Sequence, residues 1–227
     1  MSLQYQFKYL LTKIGSLCSK NSLHQFNATL NYLEAGRWFK AKGFDLPSRF
    51  KNRYQLFDQI APLIKDKQVL YLEFGVYQGE TIRYWSRTLK NPQSLLHGFD
   101  SFEGLPENWN AKIEKSHFSV DGKIPVIDDK RVSFFKGWFE DTLPKYDVQN
   151  CKVLFVNIDA DLYSSTKTVL HSLKNHMSRG TYLYFDEFCD RAHELKAFDE
   201  FLNETKMKFK VVGATQTLAN VIFQRID

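Results

Sequence analysis

Residues 153–166 read VLFVNIDADLYSST, and residues 182–188 read YLYFDEF. Each is a short apolar run that stops abruptly on acids: Val153 to Ile158 before Asp159 and Asp161, and Tyr182 to Phe185 before Asp186 and Glu187. About four to eight β-branched and aromatic residues without polar alternation mark a strand buried on both faces, as in a parallel sheet. The acids then fall at the strands' carboxyl ends, the rim where open α/β sheets bind ligands. If the two strands are neighbours, their acids lie within roughly 5 Å of one another. At an effective dielectric near 20, each like-charged pair at that distance costs about 3 kcal/mol. Either a carboxylate keeps its proton or a cation neutralises the group, and a hard divalent ion with oxygen ligands is the commoner solution. Asp161 alone also suits the cap of the following helix, but four acids on two strand ends point to a metal or proton-transfer site.

Working back toward the amino terminus, Val69 to Phe74 is another buried strand, running into EFGVYQGET at Glu73 to Thr81. Strand, glycine turn and helix form a nucleotide-binding arrangement, because glycine admits close backbone approach and the helix offers free N–H groups. The spacing is E-x-G-x-x-x-G and lacks the G-x-G-x-x-G of dinucleotide sites; ordinary turn chemistry also accommodates two glycines. The next strand, Leu95 to Phe99, ends at Asp100, where an acid can accept ribose hydroxyls, although Asp100 and Ser101 equally suit the start of the turn that follows. Residues 107–130 are polar and aperiodic, as expected of a functional loop on the substrate side. Val132 to Phe135 reads as a further strand before Gly137, Trp138 and Phe139, an aromatic pair suited to flanking a flat base or to the core.

Toward the carboxyl terminus, Ser164 to Met177 and about Arg191 to Asn203 read as helices. Lys208 to Val212 and Leu218 to Gln224 form a hairpin. His193 suits either a substrate contact or a surface position at a helix start. The front, residues 1–66, reads as a helical lid, with apolar Leu10, Leu11, Ile14 and Leu17 at helical spacing. That helix could dock on the body, on a second copy of the chain to make a homo-oligomer, or on lipid.

The 227 residues suit one domain with an appendage, the body spanning 67–227. Cys18, Cys151 and Cys189 are scattered and odd in number, the usage of free thiols in a reducing, cytoplasmic setting. No apolar run long enough for a transmembrane segment exists, and Gln4, Gln6, Lys8 and Lys13 interrupt any signal-peptide core. The net charge of +5 divides into +6 over residues 1–60 and −1 over the remainder. Basic residues dispersed among apolar ones describe a solvated helical face better than a surface for an anionic partner or membrane.

The motifs EFGVYQGET, GFDSFEGLP, GWFEDTLP, IDADLYSST and YFDEF, in that order, resemble the class I S-adenosylmethionine-dependent methyltransferases, and more narrowly the macrocin O-methyltransferase family and related antibiotic sugar O-methyltransferases. The resemblance begins near Leu70 and implies an α/β, Rossmann-like, seven-stranded, mostly parallel sheet closing on an antiparallel hairpin. It implies that Glu73, Gly75, Tyr77, Gly79 and Thr81 surround the methionine moiety of S-adenosylmethionine, Asp100 and Ser101 the ribose, and Gly137 and Trp138 the adenine. It implies Mg²⁺ on Asp159, Asp186 and Glu187, with Asp161 as general base. The chain departs from the family's usual Asp-Asp at the end of the fifth strand, carrying Asp186-Glu187. The implied activity is Mg²⁺-assisted O-methylation of a small hydroxylated acceptor, a sugar or glycosylated metabolite. Nucleic acid is disfavoured as a substrate because Asp-Ala-Asp-Leu-Tyr stands where a base-holding N/D-P-P-Y motif is expected. Two other classes share parts of the pattern: a non-catalytic cofactor-binding scaffold, and an NAD-dependent oxidoreductase, against which the glycine spacing and hairpin count.

Overall fold

A computed structural model describes residues 3–109 and 113–227. In chain order the elements are α1 (Leu3–Leu17), α2 (Lys20–Ala41), β1 (Arg49–Phe50), α3 (Arg53–Ile64), β2 (Val69–Phe74), α4 (Glu80–Thr88), β3 (Leu95–Asp100) and β4 (Val132–Lys136). They continue as α5 (Phe139–Thr142), β5 (Val153–Ile158), α6 (Tyr163–Leu173), β6 (Tyr182–Phe185), α7 (Glu194–Thr205), β7 (Phe209–Thr215) and β8 (Val221–Arg225).

The strands make one sheet in the order β1-β7-β8-β6-β5-β2-β3-β4. All neighbours are parallel except β8, which runs antiparallel to both β6 and β7. The Rossmann-like sheet with its terminal hairpin matches expectation, with eight strands in place of seven. The addition is β1, two residues long, whose Arg49 and Phe50 pair with Ala214 and Thr215. So short a strand leaves no period to read.

Every residue of β2, β5 and β6 is buried, and alternate side chains supply two cores. Leu70, Leu72, Phe74, Leu154, Val156, Ile158, Leu183 and Phe185 face one side, with Ala35, Trp38 and Phe39 of α2 and residues of α6 and α7. Tyr71, Phe155, Tyr182 and Tyr184 face the other, against α3 and α4. The period of two thus fills both faces of a sheet covered by helices.

Helix α3 starts where the Asn52 side chain accepts the Gln55 N–H at 3.0 Å, an N-cap. Its stripe Leu56, Phe57, Ile60, Ala61 and Ile64 is buried on the sheet. By contrast α1 has no buried residue and leaves Leu3, Phe7, Leu10 and Leu17 exposed, so it does not dock on the body. Among the described residues no helix is long and apolar enough to cross a membrane, and all three cysteines are free.

Strands β2 and β5 end side by side, with Phe74 opposite Ile158, so Gly75 meets Asp159 directly. A Cβ on Gly75, at φ 91°, would lie 1.8 Å from the Asp159 carbonyl oxygen. We predict that Gly75→Ala lowers stability by about 3 kcal/mol or more, read in thermal unfolding as a Tm roughly 6–12 °C lower. An unchanged Tm would show that the two strand ends are not held in contact.

Candidate functional site

The carboxyl ends of β2, β3, β4, β5 and β6 surround a cavity of about 560 Å³, within the usual range for small-molecule sites. Eight carboxylates line it: Glu73, Glu80, Asp100, Glu140, Asp159, Asp161, Asp186 and Glu187. Among the described residues the only Lys or Arg in the lining is Arg53. A cavity so weighted attracts cations.

Of the residues expected around a cofactor, Glu73, Gly75, Tyr77, Thr81, Asp100, Ser101, Gly137 and Trp138 line this cavity, while Gly79 stands outside the lining. Gly79 serves the backbone, as the left-handed N-cap of α4 at φ 75°. Tyr77 also takes a left-handed conformation, φ 52°, which a bulky side chain adopts only where its surroundings hold it. The holder is Asp100. Its Oδ2 accepts the N–H groups of Val76 at 2.7 Å and Tyr77 at 2.8 Å, and its Oδ1 accepts that of Phe102 at 2.7 Å. A carboxylate has about four acceptor positions, so most of Asp100 is committed to the glycine turn. Ser101 is similarly engaged, donating to the Gly104 carbonyl at 3.1 Å and accepting the Glu103 N–H at 3.0 Å. Asp100 and Ser101 thus line the cavity while their side chains build the turns of its wall, as the turn reading expects.

Glu73 lies at the base of the turn, 1% exposed. Burial pushes its carboxyl up to about 8, against hydrogen bonds from Tyr71 and Asn157 that favour the charged form. The Tyr71 hydroxyl donates to Glu73 and accepts the Asn157 amide N–H at 2.8 Å. At neutral pH Glu73 is mainly a neutral acid.

The acids of the two opening motifs converge as their strand register requires. Ile158 lies opposite Phe185, so Asp159 and Asp186 follow as neighbours. Burial raises Asp159, reinforced by Asp186 and Asp161, while Arg53 pulls it down. Asp161, at φ 58°, is pushed up to about 7 by burial and then by Glu187, Asp186 and Asp100. Glu187 is likewise pushed to about 7, by burial and then by Asp186 and Asp190. A left-handed backbone is tolerable for Asp, and here it accompanies a carboxyl whose proton affinity matches neutral pH, as acid–base work demands.

The cation among these acids is Arg53, the first residue of α3. Its Nη2 donates to Asp186 Oδ2 at 2.9 Å and its Nη1 to Asp159 Oδ2 at 3.4 Å. Burial opposes its charge, but Tyr184, Asp186 and Asp159 outweigh that and hold the guanidinium more firmly protonated than usual. The other oxygen of Asp186 accepts the Tyr184 hydroxyl and, at 2.7 Å, the Asn220 amide N–H. Both Asp186 oxygens are thus occupied by donors of the chain. Among the described residues no group of three His, Cys, Asp or Glu side chains is disposed to hold a metal ion. Asp159, Asp186 and Glu187, the residues expected to hold magnesium, all line this one cavity, with Arg53 between Asp159 and Asp186.

Arg53 and Asn220 escape a reading by motif, since their partners are remote in sequence. So does Glu194, fully buried, whose Oε2 accepts the Glu187 N–H at 2.8 Å. Of the aperiodic segment 107–130, Trp109 and Phe118 line the cavity, while residues 110–112 lie outside the described ones. His193 is turned to a structural task, its Nδ1 accepting the Tyr163 N–H at 3.2 Å and its ring meeting Trp109 edge-on.

The sequence profile described as Macrocin-O-methyltransferase (TylF) matches residues 50–219. The demethyldecarbamoylnovobiocin O-methyltransferase of Streptomyces niveus is 40% identical over 136 residues, 52% of this chain and 50% of that protein. The 8-demethyl-8-(2,3-dimethoxy-alpha-L-rhamnosyl)-tetracenomycin-C 4'-O-methyltransferase of Streptomyces olivaceus is 35% identical over 137 residues, 52% of each chain. The matches thus span about half the length of these relatives. Among solved structures, the O-methyltransferase NovP superposes with a TM-score of 0.60 at 22% identity, covering 76% of this chain and 77% of its own. The calicheamicin methyltransferase CalS11 gives 0.56 at 19%, covering 75% and 76%. Both share the fold.

The sign of the pH effect at Glu73 is fixed by its upward displacement. The folded state binds the proton more tightly than the unfolded one, so the stabilisation is full below about 4.5 and is lost as pH rises through about 8. Between those values stability is expected to fall by up to roughly 1.4 kcal/mol per pH unit from this group. Glu73→Gln, which mimics the neutral acid, is predicted to flatten the decline of Tm between pH 5 and pH 8; an unchanged slope would show that Glu73 is ionised in the fold.

Proposed function

The chain belongs to the macrocin O-methyltransferase family, and on that premise we propose that it transfers a methyl group from S-adenosylmethionine to a hydroxyl of a small molecule, a sugar or glycosylated metabolite. The observation that carries this reading is the opening of the Gly75–Thr81 turn and of Asp161 onto one acidic cavity. When bound, S-adenosylmethionine supplies an electrophilic methyl on a cationic sulfonium. Carboxylates around the cavity suit that positive charge, and Trp138 and Phe139 offer aromatic surface for a base. Glu73, Gly75, Tyr77 and Thr81 are proposed at the methionine end, Asp100 and Ser101 at the ribose wall, and Gly137 and Trp138 at the adenine. Gly79 contributes through its backbone. The two cited relatives are named O-methyltransferases for a rhamnosyl-tetracenomycin and for demethyldecarbamoylnovobiocin, which supports a hydroxylated small-molecule acceptor.

Asp161 is proposed as the general base. It takes the acceptor's hydroxyl proton as the oxygen–methyl bond forms and the sulfur–methyl bond breaks, leaving a neutral thioether. Positioning supplies much of the remaining rate, since both reactants are held in one enclosed space. The front, residues 1–66, is proposed to act as the lid on the acceptor side, contributing Arg53 and Tyr54 to the lining.

Calorimetric titration is expected to detect S-adenosylmethionine binding to the wild type, and to Asp161→Asn with little change. Release of S-adenosylhomocysteine with a panel of hydroxylated glycosides is expected to fall by about 10²-fold or more in that variant. Full turnover by Asp161→Asn would remove its role as base, and no cofactor binding by the wild type would remove the reading itself.

A further inference from the structure

We infer that Arg53 is the resident cation of this site, a positioning residue that holds Asp159 and Asp186 in place of a divalent metal ion. The inference rests on the methyl-transfer reading and concerns which positive charge that site uses. Where the family resemblance implies a metal, the chain presents a guanidinium with one N–H group on each of the two carboxylates, at 2.9 Å and 3.4 Å. Arginine stays charged at every pH at which the protein folds, and its planar fork suits two acceptors at once.

The arrangement is supported from both ends. Arg53 leaves a backbone fixed by the β1–β7 pairing, by the Asn52 cap and by the buried stripe of α3, in which the Phe57 ring lies 4.9 Å from that of Tyr184. On the facing side, Asp186 is held by Asn220 and by Tyr184, so its free oxygen is turned to Arg53. A magnesium ion requires near-octahedral oxygens at about 2.0–2.1 Å and gives up water reluctantly. To bind here it would have to displace the guanidinium and take an oxygen already hydrogen-bonded.

Manganese is the probe, because its electron paramagnetic resonance signal counts bound ions without any acceptor. The wild type is expected to bind no stoichiometric Mn²⁺, and its turnover is expected to be indifferent to EDTA. Arg53→Gln frees the two carboxylates and is expected to gain a Mn²⁺ site at least about tenfold tighter than any in the wild type, which the further change Asp186→Asn removes. In turnover, Arg53→Gln is expected to lose at least about tenfold in kcat and to regain part of it with Mn²⁺, while Arg53→Lys, which restores a charge without the fork, falls between. Calorimetric binding of S-adenosylmethionine in EDTA tests the underlying reading separately: its absence sinks the methyltransferase assignment and leaves the metal count standing. One-to-one Mn²⁺ binding by the wild type that is lost in Asp159→Asn overturns the inference, as does wild-type kcat in both Arg53 variants.

Discussion

Asp159 and Asp186 follow the last paired residues of two adjacent parallel strands, so the sheet's own hydrogen bonds force them together. The Asp159 N–H donates to Phe74 and the Asp186 N–H to Ile158, each at 2.9–3.0 Å. Neither residue can retreat without unzipping a strand end. Once the backbone fixes two acids at that spacing, their repulsion must be met by proton uptake or by a cation. The ion pairs of Arg53 meet it in part, and burial, followed by the neighbouring acids, pushes Asp161 and Glu187 up to about 7, where each can carry a proton.

That constraint explains features which otherwise look unrelated. Gly75 is required because the carbonyl of Asp159 occupies the space of a Cβ. Tyr184 and Asn220 are required because Asp186, 6% exposed, cannot be left without donors. The two-residue strand β1 matters beyond its length, since it fixes the backbone just before α3 and so places Arg53 within reach of both acids. A segment that carries none of the recognisable cofactor motifs thereby supplies the positive charge of the site.

The strands were readable because burial on both faces removes polar residues from β2, β5 and β6 and leaves uninterrupted apolar runs. The acids at their ends were readable for the same reason, as the first polar residues after such runs. What joins those acids was not. Arg53 lies 106 residues from Asp159 and 133 from Asp186, and no local period reports a contact made across the sheet. Asp100 illustrates a subtler limit. Its position after a strand announces a ligand-facing acid, but only coordinates reveal that three of its hydrogen bonds hold the neighbouring turn. Helix α1 spans Leu3–Leu17 and buries nothing; Leu3 and Phe7 continue toward the amino terminus the helical spacing read from Leu10.

The location of the cavity follows from the order of the strands. After β2 the chain builds outward through β3 and β4, then returns to lay β5 and β6 on the opposite side of β2. Connections leaving β2 and β5 therefore diverge to opposite sides, and the space between them is not filled by either. Gly75 and Asp159 are the first residues beyond those two strands, which sets the glycine turn on one wall and the acids on the other. The helix following β2 brings backbone N–H groups and the segment following β5 brings Asp161, so one crevice collects the glycine turn and a carboxyl pushed up to about 7. The front of the chain enters the same crevice from the far edge of the sheet, through β1 and α3, and closes it with a guanidinium. Chemistry at this position thus needs no feature beyond the fold's own reversal of direction and one arginine to make its concentration of acids tolerable.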